Sequence, residues 1–556
     1  MEIKDIIDTL NQFKAERAPI ESGWQKVANL VDTTKADFIQ NKDSSFTNQD
    51  LYDKTASLSL NIRSSTLNSL LWDSGKFAYR PNQKYFPDKA DLNDFFQYAT
   101  EIAQREFKKA EADRIFFESE MDEAAFGPSY VYLGAEDGLN LIPFQVKECY
   151  INETIKGKID TVYRLYCITV KQCIDTFGEE NVTDKVRQLY TTNKLNEKIE
   201  ILHVIQPRSK RSVLLKGKEN MPFESIYIET NSKKEMKKQG IQGGFPYFPI
   251  YVSREGKRNG EKYAYSVSMM AIEEISQLNV ERENQIIVDN RFADPSIWYD
   301  ATALQGNILD TSPGSATAFR MTGRAGTPVG NMVTIQGDPN SIENSIVRLQ
   351  ETIGKFYAID RLLDFNNDTQ MTLGESQIRA RIRQQTLGAT LSKKRSEKYE
   401  PIVKRAFQLL LDQDKFGYMP DDIRIAEDEA LGLEPRIIPE EIINLINAGI
   451  DPLEFIDVRF YTQFELEKQL LENNTILQVW NNAGLISQLT QSPNVFDNLD
   501  EDKTIKAIGD VSFNIDIFKD KKEVAQIRND RTTKNEVVEG IEGARAISEI
   551  GKNQRA

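Results

Sequence analysis

The feature that most constrains this chain is a helix start followed by some forty residues of helical pattern, 372–411. A polar loop, Asp364-Phe365-Asn366-Asn367-Asp368-Thr369-Gln370, precedes it and leads into Met371-Thr372-Leu373-Gly374-Glu375. Thr372 and Glu375 stand three apart. The hydroxyl can therefore accept from the Glu375 N–H while the carboxylate accepts from the Thr372 N–H, a capping box. Downstream, Ile378, Ile382, Leu387, Leu391, Tyr399, Ile402, Val403, Ala406, Phe407, Leu410 and Leu411 recur at three- and four-residue intervals. Arg379, Arg381, Arg383, Lys393, Lys394, Arg395, Lys398, Lys404 and Arg405 fill the remaining faces. The pattern predicts a basic amphipathic helix approaching ~60 Å, with Gly388 and Pro401 as bend points. A rod of that length suits a part spanning a large assembly better than a pocket wall.

The rest of the chain reads as helices, then strands, then helices again. Residues 3–31, 55–72 and 94–125 carry helical periodicity, with Trp24 on the apolar side of the first. Residues 129–133, 139–146, 161–168 and 199–205 are β-branched and aromatic, punctuated by Gly127, Gly134, Gly138 and Gly157. This is an α+β region able to bury its own core. After 243–249, which Pro246 and Pro249 bar from helix, a helix is predicted over 265–292, ending at Asp294-Pro295. Residues 295–339 are rich in Gly, Thr, Ser, Pro and Ala, with short β-like pieces at 297–299, 317–321 and 332–335. Ser341 is predicted to cap a returning helix, 342–363. Further helices are expected at 439–448, 466–489 and 505–508, and partial helix within 520–556.

This order of features resembles the head-to-tail connector, or portal, proteins of short-tailed bacteriophages, over about residues 1–531. The Met-Thr-x-x-Glu helix start, its Arg-rich continuation and Tyr399-Glu400-Pro401-Ile402-Val403 carry the likeness. So do the 17–24 segment from Arg17 to Trp24, Phe126-Gly127-Pro128-Ser129, the 243–249 loop, Arg254 and Tyr263. The resemblance implies an α+β portal fold: mainly helical stem, wing and crown, a β-rich part in the wing and a small β-containing clip. On this chain it implies an N-terminal wing at 1–264, stem helices at 265–292 and 341–363, and a clip at 293–340. A tunnel loop at 364–371, the long wing helix at 372–412, a crown at 413–519 and a tail at 520–556 complete it.

The implied function is a ring of twelve copies at one capsid vertex through which double-stranded DNA is packaged and ejected. The implied partners are the terminase motor, a tail adaptor, and the major capsid and scaffolding proteins. The DNA channel would be lined by Asp364, Asn366, Asn367, Asp368, Thr369 and Gln370, side chains that hydrogen-bond transiently. Arg379, Arg381, Arg383, Lys393, Lys394 and Arg395 would form an intersubunit or DNA-facing surface, intersubunit Arg–carboxylate pairs being favoured by the planar guanidinium fork. Trp298, Tyr299, Phe319, Arg320 and Arg324 would dock the adaptor and motor. The implied location is the portal vertex of the virion, after synthesis in the host cytoplasm.

Composition bears on the same question. A net charge of −15 argues against a protein that clamps nucleic acid by phosphate neutralisation. It is compatible with a lumen that repels a duplex from all sides and so centres it. No run of about eighteen apolar residues exists and no apolar signal core opens the chain, so no membrane partner is expected. Cys149, Cys167 and Cys173 lack Cys-x-x-Cys spacing and read as buried thiols. There is no Gly-x4-Gly-Lys-Ser/Thr, and 323–330 lacks the lysine, so ATP hydrolysis is not expected. The only histidine, His203, sits in a strand pattern, which excludes Ser-His triads and His-based metal sites. Glu427, Asp428 and Glu429 read as a solvated patch rather than a Mg²⁺ site, and no cofactor is expected. The alternatives are a DNA-packaging nuclease or terminase component, and an internal virion or scaffold protein.

Overall fold

The computed structural model describes residues 3–35, 51–86, 92–135, 138–209, 211, 217–236, 243–258, 260–294, 297–300, 316–319, 329–331, 339–362, 387–420, 422–425, 436–490, 499–500, 504 and 526–528. In chain order its elements are α1 (Ile3–Leu30), α2 (Thr55–Leu71), β1 (Phe77–Pro81), α3 (Asn93–Lys109) and α4 (Ala112–Phe126). The strands β2 (Pro128–Gly134), β3 (Asn140–Phe144), β4 (Cys149–Glu153) and β5 (Ile159–Thr169) follow, then α5 (Val170–Phe177) and α6 (Asp184–Thr191). Next come β6 (Lys198–Pro207), β7 (Phe223–Glu229), β8 (Lys234–Met236), β9 (Ile250–Arg254), α7 (Val267–Met270) and α8 (Ile272–Ala293). Strands β10 (Ile297–Asp300), β11 (Ala316–Phe319) and β12 (Val329–Asn331) lead to α9 (Pro339–Phe356) and α10 (Ile359–Leu362). Residues 387–394 are α-helical, Arg395–Tyr399 form a π turn, and Glu400–Asp412 continue as α-helix. The last elements are helix Glu440–Asn447, β13 (Ile456–Phe460) and helix Gln463–Thr490.

The chain divides into two compact units, residues 1–76 with 101–417, and 77–100 with 418–556. In the first, β4-β5-β6-β7-β8 form one antiparallel sheet and β3-β2-β9 another. Helix α1 lays Ile6, Leu10 and Phe13 against Tyr150, Tyr163, Leu202 and Val204 of the larger sheet. Its C-terminal half, with Trp24, Val27 and Ala28, joins the main core beneath β2, α4, α8 and α9. A three-stranded sheet, β11-β10-β12, lies in sequence between α8 and α9. In the second unit, β1 pairs antiparallel with β13, placing Phe77 opposite Phe460, and Phe86, Phe96 and Phe455 pack ring to ring.

Several expected elements are corrected. The pattern over 94–125 is two helices, broken at Ala110 and Glu111, where Glu111 takes a left-handed φ of 53°. The break lets Phe107 and Phe116, one from each helix, both meet the Trp72 ring. Helix α9 begins at Pro339, so Ser341 lies inside it rather than capping it, and it ends at Phe356 before Ala358, whose φ is 55°. The strand β12 spans Val329–Asn331, and the β-like piece expected at 332–335 lies outside the described residues. Gly388 lies within regular helix. The helix widens at 395–399 instead, immediately before Pro401, whose missing N–H removes one hydrogen bond of the α ladder. Cys167 is exposed on the outer face of β5, while Cys149 and Cys173 are buried.

Candidate functional site

Four of the described segments singled out in the sequence, 17–24, 126–129, 254–263 and 399–403, lie far apart in the chain and meet at one buried junction. Trp24 donates from Nε1 to the Phe126 carbonyl at 2.7 Å and packs edge-on against Tyr263, ring centroids 5.7 Å apart. Arg17 stacks on the Tyr150 ring and donates to the carbonyls of Lys147 and Cys149. Gly127 holds a φ of 105° with its Cα against the Ala264 carbonyl, an approach that any Cβ would block. The serine hydroxyls of Ser266 and Ser268 donate to the carbonyls of Ala125 and Ala124, satisfying the end of α4. Arg254 reaches the Glu153 carboxylate and the Lys262 and Gly157 carbonyls, tying β9 to the β4–β5 hairpin.

Into this junction the basic helix sends two of its lysines. Lys394 and Lys398, one turn apart, meet Glu120 and Glu123, three apart on α4. Lys398 donates to Ser119 Oγ at 3.0 Å, Glu120 Oε1 at 2.6 Å and Glu123 Oε1 at 2.7 Å, which uses all three of its N–H groups. Lys394 donates to Glu120 Oε2 at 2.7 Å and Glu123 Oε2 at 2.5 Å. Tyr399 and Ser129 add a second donor to Glu120 Oε1 and Glu123 Oε1 respectively. Burial opposes ionisation of Glu120, but the ammonium groups of Lys394 and Lys398 outweigh it and hold the carboxyl down to about 2. Burial likewise opposes the Lys394 charge and the two glutamates overcome it, so that its pKa is raised. Two cations and two anions close the cluster as neutral.

A second pair extends the junction. Arg63 of α2 pairs with Glu255 after β9 and donates to the Tyr357 carbonyl at the end of α9. Lys393 donates to the Arg254 carbonyl at 2.6 Å. The end of α9 and the start of the described basic helix are thus fastened to the same β9 segment.

One of the basic residues singled out in the sequence lies inside the fold. Lys394 points inward and is spent within its own chain, not on an outward basic face. The physical reason is that α4 presents two buried carboxylates, and one ammonium, that of Lys398, neutralises only one of them. Lys393 is half-buried against β9, and Arg395 is half-buried, with burial lowering its pKa against the opposing Glu400. Lys398, Glu120, Glu123, Arg63 and Glu255 were missed by sequence reasoning. The signal was present as Glu120 and Glu123, three apart just before the apolar Ala124-Ala125-Phe126 that ends α4, matched by Lys394 and Lys398 at helical spacing. Arg379, Arg381, Arg383, the Thr372–Glu375 capping box, the loop from Asp364 through Asn366, Asn367, Asp368 and Thr369 to Gln370, Arg320, Arg324 and the acids Glu427, Asp428 and Glu429 lie outside the described residues. Trp298, Tyr299 and Phe319 fall on β10 and β11, where the pairing is Trp298 with Thr317 and Asp300 with Phe319.

Helices α8 and α9 pack side by side above the junction through Ile275, Leu278, Ile346 and Ile353. Asp53 bridges them, accepting from Gln350 of α9 at 3.1 Å and lying 3.8 Å from Arg282 of α8. Val280 and Ile287, seven residues apart and so on one helix face, are exposed, as are Phe292 and, on α9, Val347. His203 is a buried strand residue: Nε2 lies 3.0 Å from Ser225 Oγ and the ring stacks on Tyr227. Among the described residues no helix is long and apolar enough to cross a membrane, and no group of three or more His, Cys, Asp or Glu is placed to hold a metal.

A model of the family described as bacteriophage head to tail connecting protein matches residues 3–512. The chain belongs to that family. The connector chain is also similar to the portal protein of Salmonella phage epsilon15, at 23% identity over 98% of this chain and 95% of that protein. A probable portal protein of Bordetella phage BPP-1 is 21% identical over 71% of this chain and 66% of its own length. The connector's motifs at 17–24, 126–129, 254–263 and 399–403 are thereby explained in physical terms: each contributes a contact to one junction.

Proposed function

We propose that this connector is a portal subunit: copies close into a ring at one capsid vertex, and double-stranded DNA passes through its centre during packaging and ejection. The observation that carries the reading is the pair α8 and α9. Each is about 27–33 Å long at ~1.5 Å per residue, and the two enclose a small β insert in sequence while turning Val280, Ile287 and Val347 outward. Apolar side chains left exposed on rods of one subunit are covered when neighbouring copies stand beside them. In this reading α8 and α9 are the stem, 293–340 the clip and 364–371 the tunnel loop. The junction sets the angle at which the stem leaves the wing.

The work is mechanical, with no cofactor. The clip, including Trp298, Tyr299, Phe319, Arg320 and Arg324, docks the packaging motor and later the tail adaptor. Arg379, Arg381, Arg383 and Arg395 serve neighbouring subunits or the duplex. Capsid and scaffolding proteins surround the ring, and the mature location is the virion vertex. Deleting Asn366 through Thr369 is expected to leave rings intact while DNA filling or retention fails. Normal filling and retention by that variant would remove the loop's role.

A further inference from the structure

The tip of the β4–β5 hairpin presents a fully exposed isoleucine on a rigid turn. Gly157 N–H donates to the Thr154 carbonyl at 2.8 Å and Thr154 N–H to the Lys158 carbonyl at 2.8 Å, closing a three-residue loop with Gly157 at a φ of 75°. The Gly157 carbonyl is itself held by Arg254 at 2.9 Å and Lys257 at 3.2 Å, and both cations also grip Glu153. Ile155 stands at the apex, wholly outside the fold, with Lys156 and Lys158 exposed beside it. Holding an apolar side chain in water on a pre-organised turn is the arrangement of a binding anchor, because little conformational freedom remains to be lost on docking.

The same chain carries a matching recess. A cavity of about 590 Å³ opens between the end of α1, α2, α4 and the end of β3. Leu60, Phe117, Met121 and Phe144 supply its apolar wall. Asp32, Glu118 and Asp122 line it with Lys35, and Arg114 pairs with Glu118 from the same helix, so three carboxylates against two cations leave one negative charge in excess. Lys35 is bound to Asp122, and Glu118, 41% exposed near the mouth, is paired at 2.7 Å with Arg114, itself 55% exposed.

We propose that Ile155 of one copy seats in this recess of the next, with Lys156 and Lys158 facing Glu118 and Asp32. Knob and recess are different surfaces of one chain. Such a contact is heterologous, the class that closes rings. The proposal rests on the ring reading above and adds to it a specific contact in the wing, remote in sequence from the stem.

The test uses full-length protein in a Cys167→Ser background, since Cys167 is exposed. With Ile155→Cys and Asn61→Cys together, a short bis-maleimide is expected to join chains into a ladder, whereas either substitution alone gives none. Lys156→Glu is expected to weaken assembly by about tenfold or more, the scale of a close interfacial charge pair. Adding Glu118→Lys is expected to restore it, which a merely structural role for either residue would not do. Rings that form normally from the wild type but give no ladder and ignore the charge reversals overturn this contact while leaving the ring reading intact. A small molecule retained in the recess by such rings overturns it equally. Absence of rings from the wild type overturns both.

Discussion

Lys398 Nζ lies 2.7 Å from Glu123 Oε1, and neither side chain is exposed to solvent. An ammonium and a carboxylate at that depth are tolerable only together. Each costs several kcal/mol to bury alone, and their mutual attraction plus the hydrogen bonds of Ser119, Ser129 and Tyr399 offset the cost. The pairing fixes which face of the basic helix turns inward, so geometry rather than net stability is its main contribution.

Removing one partner should therefore be severe. Lys398→Met, close in shape but uncharged, is expected to lower stability by about 3–5 kcal/mol, since Glu120 and Glu123 would share one cation. Lys404→Met, which breaks only the surface pair with Glu400 at 2.9 Å, should cost less than about 1 kcal/mol. Urea unfolding midpoints of the two variants compare them directly. Equal losses would contradict the buried-cluster account.

Acid should act in two stages. Burial holds His203 down to about 3 from 6.5, so the unfolded chain takes up that proton first. Stability is complete above 6.5 and declines as pH falls towards 3, by about 2 kcal/mol at pH 5 for one and a half units. Glu120, depressed from 4.5 to about 2, contributes stability above 4.5 that is lost as pH falls through about 2. His203→Gln is expected to flatten the decline between pH 6.5 and 5 and leave the lower one. Unfolding curves measured at fixed pH steps would show an unchanged slope if His203 were not responsible.

Gly127→Ala puts a methyl group against the Ala264 carbonyl at a left-handed backbone position. The expected loss is at least about 1–3 kcal/mol. Thermal unfolding reads it, and a neutral result would mean that the α4–β2 turn relaxes freely.

Val280→Asp and Ile287→Asp change only exposed positions of α8. Folding should stay within about 0.5 kcal/mol of the parent. Self-association, followed by analytical ultracentrifugation, should weaken by about tenfold or more, each carboxylate being buried when copies meet. Unaltered association would move the subunit contacts off this face.

Much of the fold was legible because the relevant signals are local. The 3.6-residue period marked α1 and α2, and β-branched alternation marked β2, β5 and β6. The α3–α4 break was not, because Lys108-Lys109-Ala110-Glu111-Ala112 are good helix formers and only the shared Trp72 contact demands a bend. Strands β1 and β13 escaped notice because each is five residues long and its partner lies over 370 residues away. At the junction, composition announced abundant lysine and glutamate but not depth. Which cations face inward is decided by α4, over 270 residues earlier in the chain.

Electron microscopy of the purified full-length protein tests the central claim most directly. The expected images show closed rings with a central hole wide enough for a duplex. Only monomers, at concentrations where subunits should saturate their contacts, would contradict it.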